Sequence, residues 1–328
     1  MKAFAKKLNS LQDSLKTRLN IVLLKIGFAL DFEAAKKVAR IARKRGDTSL
    51  YEAVITSIDP SFNFSFVSES RFSGKGGSCG ALGSYRTVYI PQNEAWFFEK
   101  IYNPNSIDYK KMKWFYKAYS ESSYLNFAIP ELFFETGTKI KACYFEMIPP
   151  KPSPNTSQII QIVNNIHQIQ ITQTNPELAL WNEWIFNDAL RCYRDWAREN
   201  AKRLSTDRVL ELITDFENRV PCVVSHGDLH QKNIFEGPVV IDFDRCGIFP
   251  EPYDYAYTFA KSIKITDIRT YESIIKEAGL DKKSHEFLQC LDLFFLLLTL
   301  RERPNKSAEQ FLETLHHRVK SSVRARPA

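Results

Sequence analysis

Paired cysteines are missing from this chain. Its six cysteines (Cys79, Cys143, Cys192, Cys222, Cys246 and Cys290) include no CxxC pair. A disulfide framework or a zinc knuckle is therefore not expected, and a reducing compartment fits best. Long apolar runs are missing too. The most apolar early stretch, "NIVLLKIGFAL" at 20–30, falls short of the roughly 20 residues a spanning helix needs, and it carries Lys25. Polar and charged residues precede it without a small-residue cleavage site, so no signal peptide is expected. No block of like charge is long enough for a nucleic-acid arm, and the aromatics do not interleave with a basic stripe. Nucleic acid is thus excluded as an expected partner, and no protein partner is evident. Internal repeats and low-complexity segments are also absent.

What is present suits a globular chain. An apolar fraction of 44% with 13% aromatics can build a core. The length of 328 residues suggests about two domains. A formal charge of +7 is compatible with nucleotides, lipid headgroups or other anions, and selects none of them.

Along the chain the periodicity changes twice. Residues 1–57 read as a helical extension. Phe4, Leu8, Leu11, Leu15, Leu19 and Val22 form one apolar face beside Lys6, Lys7, Lys16 and Arg18, and "DFEAAKKVARIARKR" is a second helix ending at Gly46. Packing on the main domain is the expected use of this extension, with contact to an anionic membrane surface as the alternative. Residues 58–148 read as an antiparallel sheet carrying one helix. "FNFSFV", "YRTVYI", "AWFFEKIY", "PELFFET" and "ACYFEMI" supply the strands, and the helix covers about 107–124. After the proline-rich stretch at 149–154, residues 149–328 read as helices interrupted by one short hairpin. "FLQCLDLFFLLLTL", apolar nearly all round, is predicted as a central helix.

That hairpin lies in "VVSHGDLHQKNIFEGPVVIDFDR", residues 223–245, which crowds two His, three Asp and an Asn between apolar runs. With an even loop around Gly237-Pro238, Asn233 falls opposite Val240, and Asp242 projects from the same face as Asn233. An amide oxygen beside a carboxylate is a hard-oxygen site suited to Mg²⁺, which takes one or two carboxylates from protein and the rest from water and substrate phosphates. Asp228, in the polar turn before the hairpin, is placed to accept a proton from a substrate hydroxyl. A base, a metal-binding amide and a metal-binding carboxylate are the minimum protein chemistry for moving a phosphoryl group. Singly, each residue would be read as a turn cap or a strand end; as an ordered set they point to a site.

"HGDLHQKNI" followed by "VVIDFD" resembles the catalytic and metal-binding segments of the aminoglycoside phosphotransferase and choline kinase group. The resemblance implies an α+β, bilobal protein-kinase-like fold: an antiparallel sheet lobe at 58–148 and a mainly helical lobe at 149–328. It implies ATP and Mg²⁺ as cofactors, Asp228 as catalytic base, Asn233 and Asp242 as metal ligands, and His226 as structural. Asp254 in "EPYDYAY" is similar to an aspartate that supports the catalytic loop. "FFEKIY" resembles the strand whose lysine meets the α- and β-phosphates, which points to Lys100. "YFEMI" stands where backbone near Glu146 and Ile148 would bond adenine. "NNIHQI" resembles the following helix, with His167 packed.

Two departures stand out. The cluster "GKGGSCGALGS" offers backbone amides of Gly76, Gly77 and Gly80 to phosphate, yet it is neither a GxGxxG nor a Walker loop. The helix at 107–124 has no central glutamate to pair with Lys100; Asp108 and Glu121 sit near its two ends. The expected acceptor is a small molecule or sugar. Asp244-Arg245 makes the segment similar to sugar kinases of the lipopolysaccharide core, and a membrane-linked acceptor would give the basic ends of the chain an anionic surface to meet. His230 either faces the acceptor or packs. A nucleotide-binding pseudokinase and a metallohydrolase built on His226, Asp228 and His230 are the alternatives. The expected residence is cytoplasmic, with peripheral contact at the inner face of the membrane.

Overall fold

In the computed structural model the described residues are 2–25, 27–72, 85–123, 125–148, 154–170, 183–199, 206–235, 237–263, 265–302 and 308–324. The chain divides into two compact units, one of residues 1–110 with 130–149 and one of residues 111–129 with 150–328.

The first unit opens with three helices, α1 (Lys2–Lys25), α2 (Phe32–Arg45) and α3 (Thr48–Ile58). α2 starts where the Asp31 carboxylate accepts the Ala34 N–H at 2.7 Å, and it stops at Gly46, whose φ of 69° is left-handed. Small residues on its inner face (Ala35, Ala39, Ala42) let it approach Tyr51, Val54 and Ile55 of α3 closely. Strands β1 (Glu69–Arg71), β2 (Tyr85–Ile90), β3 (Ala95–Tyr102), β4 (Leu132–Thr136) and β5 (Lys141–Glu146) form one antiparallel sheet, ordered β1-β2-β3-β5-β4. α4 (Ile107–Glu121) follows β3, and its residues are shared between the two units.

Side-chain alternation gives the sheet two chemically different faces. On one, Arg86 of β2 stands opposite Glu99 of β3 and makes a two-pronged pair, Nε to Oε1 at 2.8 Å and Nη2 to Oε2 at 3.2 Å. Both side chains are fully buried, and Arg86 Nη1 also reaches Glu52 of α3 at 2.6 Å. The Tyr144 hydroxyl donates to Glu99 Oε2 at 2.9 Å, so no charge in the cluster is left without hydrogen bonds. The N-terminal helices thus cover this face. Lys100, one residue on, belongs to the opposite one.

"FNFSFV" is not a strand. Residues 62–67 form turns, with the Asn63 side chain accepting from Ser65 N at 2.8 Å and Val67 N donating to Phe64 O at 2.9 Å. The alternating Phe62, Phe64 and Phe66 pack on the first unit's core, while local side-chain and turn bonds replace ladder bonds. The short β1 takes the edge position instead.

The second unit is mainly helical: α5 (Thr156–Ile166), α6 (Glu183–Glu199), α7 (Thr206–Glu217), α8 (Pro252–Thr258), α9 (Ile268–Glu277), α10 (His285–Arg301) and α11 (Glu309–Arg324). A capping box between Asn155 and Gln158 starts α5. α10 is the predicted central helix, buried almost continuously from Cys290 to Leu300. Two small antiparallel ladders complete the unit, β6 (Cys222–Ser225) with β9 (Gly247–Pro250), and β7 (Ile234–Phe235) with β8 (Val239–Val240). Lys111 of α4 is a lysine drawn into the core. It is 4% exposed, with Nζ 5.7 Å from the centre of the Phe249 ring, because its apolar stem is taken into the core.

Candidate active site

β6 delivers the chain, buried, to Ser225 and His226, and β9 returns beside it with Ser225 opposite Gly247. Between them runs the loop that carries Asp228. Its backbone is fixed by Asp254, a fully buried carboxylate in the first turn of α8. Oδ2 accepts the His226 N–H at 2.8 Å and Oδ1 accepts the Gly227 N–H at 3.0 Å. Two amide donors are what such a buried carboxylate needs. His167 packs behind it, with Nε2 3.6 Å from Asp254 Oδ2 and its ring edge-on to Tyr255.

Gly227 has a φ of 76°, and a Cβ there would lie 2.0 Å from the Arg245 carbonyl oxygen. No side chain fits, so the loop and the turn at 242–245 meet backbone to backbone. His226 ties them again. The Asp228 N–H points at Nδ1 at 3.2 Å, so Nδ1 accepts and the ring proton sits on Nε2, which donates to Ile241 O at 2.9 Å. The ring rests on Phe243, which in turn stacks on Phe115 of α4 at 3.8 Å. Both imidazole nitrogens are engaged, which leaves His226 no lone pair for a metal and removes the basis of the metallohydrolase alternative.

The hairpin register differs from the expected one by a residue. Ile234 pairs with Val240 and Phe235 with Val239, because three residues, an odd number, separate Phe235 from Val239, with Gly237 at a φ of 105°. Asn233 therefore stands against Ile241, whose N–H donates to its carbonyl at 2.9 Å. Asn233 and Asp242 are presented by special backbone rather than by strand alternation. Asn233 closes a 3₁₀ turn over Gln231–Asn233, and Asp242 leaves β8 in the left-handed region at a φ of 70°. Asn233 Nδ2 donates to Asp228 O at 3.0 Å, so the amide oxygen is the atom that a cation would meet. A hard oxygen from Asn233 and the Asp242 carboxylate make a donor set that fits Mg²⁺. Hydrogen bonds thus link the chain at Asp228, Asn233 and Ile241, one residue before Asp242.

Both oxygens of Asp228 are engaged, though its side chain keeps 15% of its surface exposed. Oδ1 accepts from the Tyr257 hydroxyl, and Oδ2 lies 3.4 Å from Arg245 Nη1. Burial, and then the Asp228 charge, push the Tyr257 hydroxyl well above its ordinary range, which keeps it a donor. His230 packs: its Nδ1 accepts from Lys232 N at 3.2 Å, and burial lowers its pKa below the ordinary histidine value.

In the first unit Lys100 is 5% exposed, with Nζ 5.5 Å from the centre of the Tyr102 ring. It stands opposite Cys143 of β5, and Cys143 stands opposite Glu135 of β4. Lys100 and Glu135 therefore share one rung and one face of the sheet, two strands apart. The Tyr109 hydroxyl donates to Glu135 Oε2 at 2.9 Å. Glu146 ends β5 with its N–H taken by Glu131 O at 2.9 Å, and Ile148 follows half-buried. Gly76, Gly77 and Gly80 lie outside the described residues.

Sequence reasoning missed Tyr257 and Glu135. Tyr257 had a signal: it follows Asp254 by one helical turn, so both reach the same loop. Glu135 had none, because only strand register brings it level with Lys100.

A unit built on a five-stranded antiparallel sheet and a mainly helical unit are the two parts of a protein-kinase-like fold. Residues 130–288 match the model of the phosphotransferase enzyme family, APH. This match supports an O-phosphotransferase acting on a small molecule. No curated protein matches the chain. Among solved structures it is similar to a Plasmodium vivax ethanolamine kinase, at 14% identity over 88% of this chain and 93% of that one, with a TM-score of 0.47. It is also similar to a type VIII aminoglycoside-3'-phosphotransferase, at 16% identity over 71% and 93%, TM-score 0.44. A third likeness is to a thermostable mutant of aminoglycoside phosphotransferase APH(4)-Ia in ternary complex with ADP and hygromycin B, at 13% identity over 78% and 94%, TM-score 0.45.

Proposed function

We propose that this protein transfers the γ-phosphate of ATP to a hydroxyl of a small molecule or sugar. The observation that supports the reading is the run of hydrogen bonds through Asp228, Asn233 and Ile241, which ties together the segments carrying the proposed base and the proposed metal ligands. The acceptor hydroxyl oxygen attacks the γ-phosphorus, the bond from that phosphorus to the bridging oxygen of ADP breaks, and the hydroxyl proton passes to Asp228. Oδ2, whose partner Arg245 is the more distant, is the oxygen that takes it. Asn233 and Asp242 would hold Mg²⁺, which supplies charge neutralisation at the phosphates when bound.

Lys100 serves the α- and β-phosphates, joined by backbone amides at Gly76, Gly77 and Gly80. Glu135, rather than a residue of α4, is the carboxylate that answers Lys100, since both occupy one rung and face. Backbone near Glu146 and Ile148 meets the adenine, with the groups beyond the engaged Glu146 N–H carrying most of that contact. A cell-envelope glycan such as the lipopolysaccharide core is the acceptor class that Asp244-Arg245 suggests, with cytoplasmic residence.

Purified protein incubated with labelled ATP and Mg²⁺ should label one class among amino alcohols, aminoglycosides, sugars and envelope glycolipids. Asp228→Asn should lower kcat by about 10²- to 10⁴-fold while nucleotide affinity stays near wild type. Wild-type turnover in that variant would sink the mechanism.

A further inference from the structure

α1 packs by its less apolar side. Thr17 and Asn20 are buried, with Ile21 and Leu24 against the first unit's core, and Lys37 of α2 pairs with Asp13 at 3.1 Å. The stripe read from sequence as a core face points the other way: Leu15 is 65% exposed, Leu19 57% and Val22 53%. Spacings of four and three residues put these three on one side of the helix. Lys16 lies about a quarter turn to one side of the stripe, and Arg18 and Lys25 about as far to the other. All three cations are exposed. Positions 4, 8 and 11 continue the stripe in sequence, but their side chains lie outside the described ones.

Charge says what covers this face. Residues 1–57 hold twelve Lys and Arg against five Asp and Glu, so the chain's entire formal charge of +7 sits in this extension. A second copy docked here would set cation against cation, whereas an anionic lipid surface answers both the apolar stripe and its flanks. No helix among the described residues is long and apolar enough to cross a membrane, which leaves lying on the surface as the mode for this helix.

We propose that α1 seats the protein on an anionic lipid bilayer, with Leu15, Leu19 and Val22 entering the acyl boundary and Lys16, Arg18 and Lys25 at the headgroups. The contact is independent of the catalytic reading. It is tested with the full chain by flotation against vesicles of equal parts phosphatidylglycerol and phosphatidylcholine, and against phosphatidylcholine alone. Wild type should partition to the anionic vesicles and lose them as salt is raised. Leu15→Gln with Leu19→Gln, and separately Lys16→Glu with Arg18→Glu, should each weaken partition by about tenfold or more. Melting temperature and phosphotransfer to a soluble acceptor should hold in both variants, since none of these side chains is buried. Absence of binding, equal binding to neutral vesicles, or a concentration-dependent dimer that the leucine variant dissolves would each overturn the proposal. Inactivity of every protein toward all acceptors, with partition intact, would count against the catalytic reading alone.

Discussion

At the scale of the residue, Tyr257 and Arg245 decide how Asp228 presents itself. Tyr257 donates to Oδ1, and Arg245 stands 3.4 Å from Oδ2, so the carboxylate cannot turn freely about its own bond. Tyr257→Phe removes one charge-assisted donor, a loss of about 1.5 kcal/mol or roughly tenfold in rate. The expected outcome in steady-state kinetics is a fall in kcat with KM for ATP unmoved; a rise in KM alone would assign Tyr257 to binding. Glu135→Gln should show the complementary split. Removing the negative charge level with Lys100 should raise KM for Mg·ATP about three- to tenfold, with kcat less affected. An unchanged KM would place the counter-charge of Lys100 elsewhere.

At the scale of the element, Asp59 fastens the N-terminal helices to the β4–β5 turn. It is buried just past α3, and its carboxylate accepts from Ser61 Oγ at 2.5 Å, Thr138 N at 2.6 Å and Lys139 N at 2.8 Å. Burial pushes its pKa up, but the donors from Ser61, Thr138 and Lys139 outweigh it and hold the group well below the usual carboxylate range. A depressed folded-state pKa stabilises fully above the unfolded value of about 3.9, and the gain is lost as pH falls below it. Urea melts from pH 7 to pH 3 should therefore lose stability in acid more steeply for wild type than for Asp59→Asn, which starts lower at pH 7. Parallel curves would deny Asp59 this role. Elements were legible where periodicity and packing agreed, as at β2, β3 and α10. They were misread where side chains satisfied the backbone locally, as at Asn63, or where one loop residue set a register, as at Phe235–Val239. The three carboxylate and amide positions of the site were legible as a motif. The groups that hold them, Tyr257 above all, come from tertiary approach and leave little trace in spacing.

At the scale of the whole molecule, ligand linkage reports the site without turnover. Mg·ATP at about 100 times its Kd should stabilise wild type by about 2.7 kcal/mol, seen as a higher Tm, while Asp242→Ala should lose most of the Mg²⁺-dependent part. An equal shift in that variant would remove Asp242 from the metal site. Gly227 carries a wider consequence. Because its missing side chain lets the loop that carries Asp228 rest on the Arg245 carbonyl, with 2.0 Å where a Cβ would be, that loop and the turn at 242–245 are geared like two meshed teeth. A ligand that nudges one must carry the other with it. Under the proposed phosphotransfer, proton removal and the hold on the metal would answer to a single motion, and a variant of this glycine should disturb both.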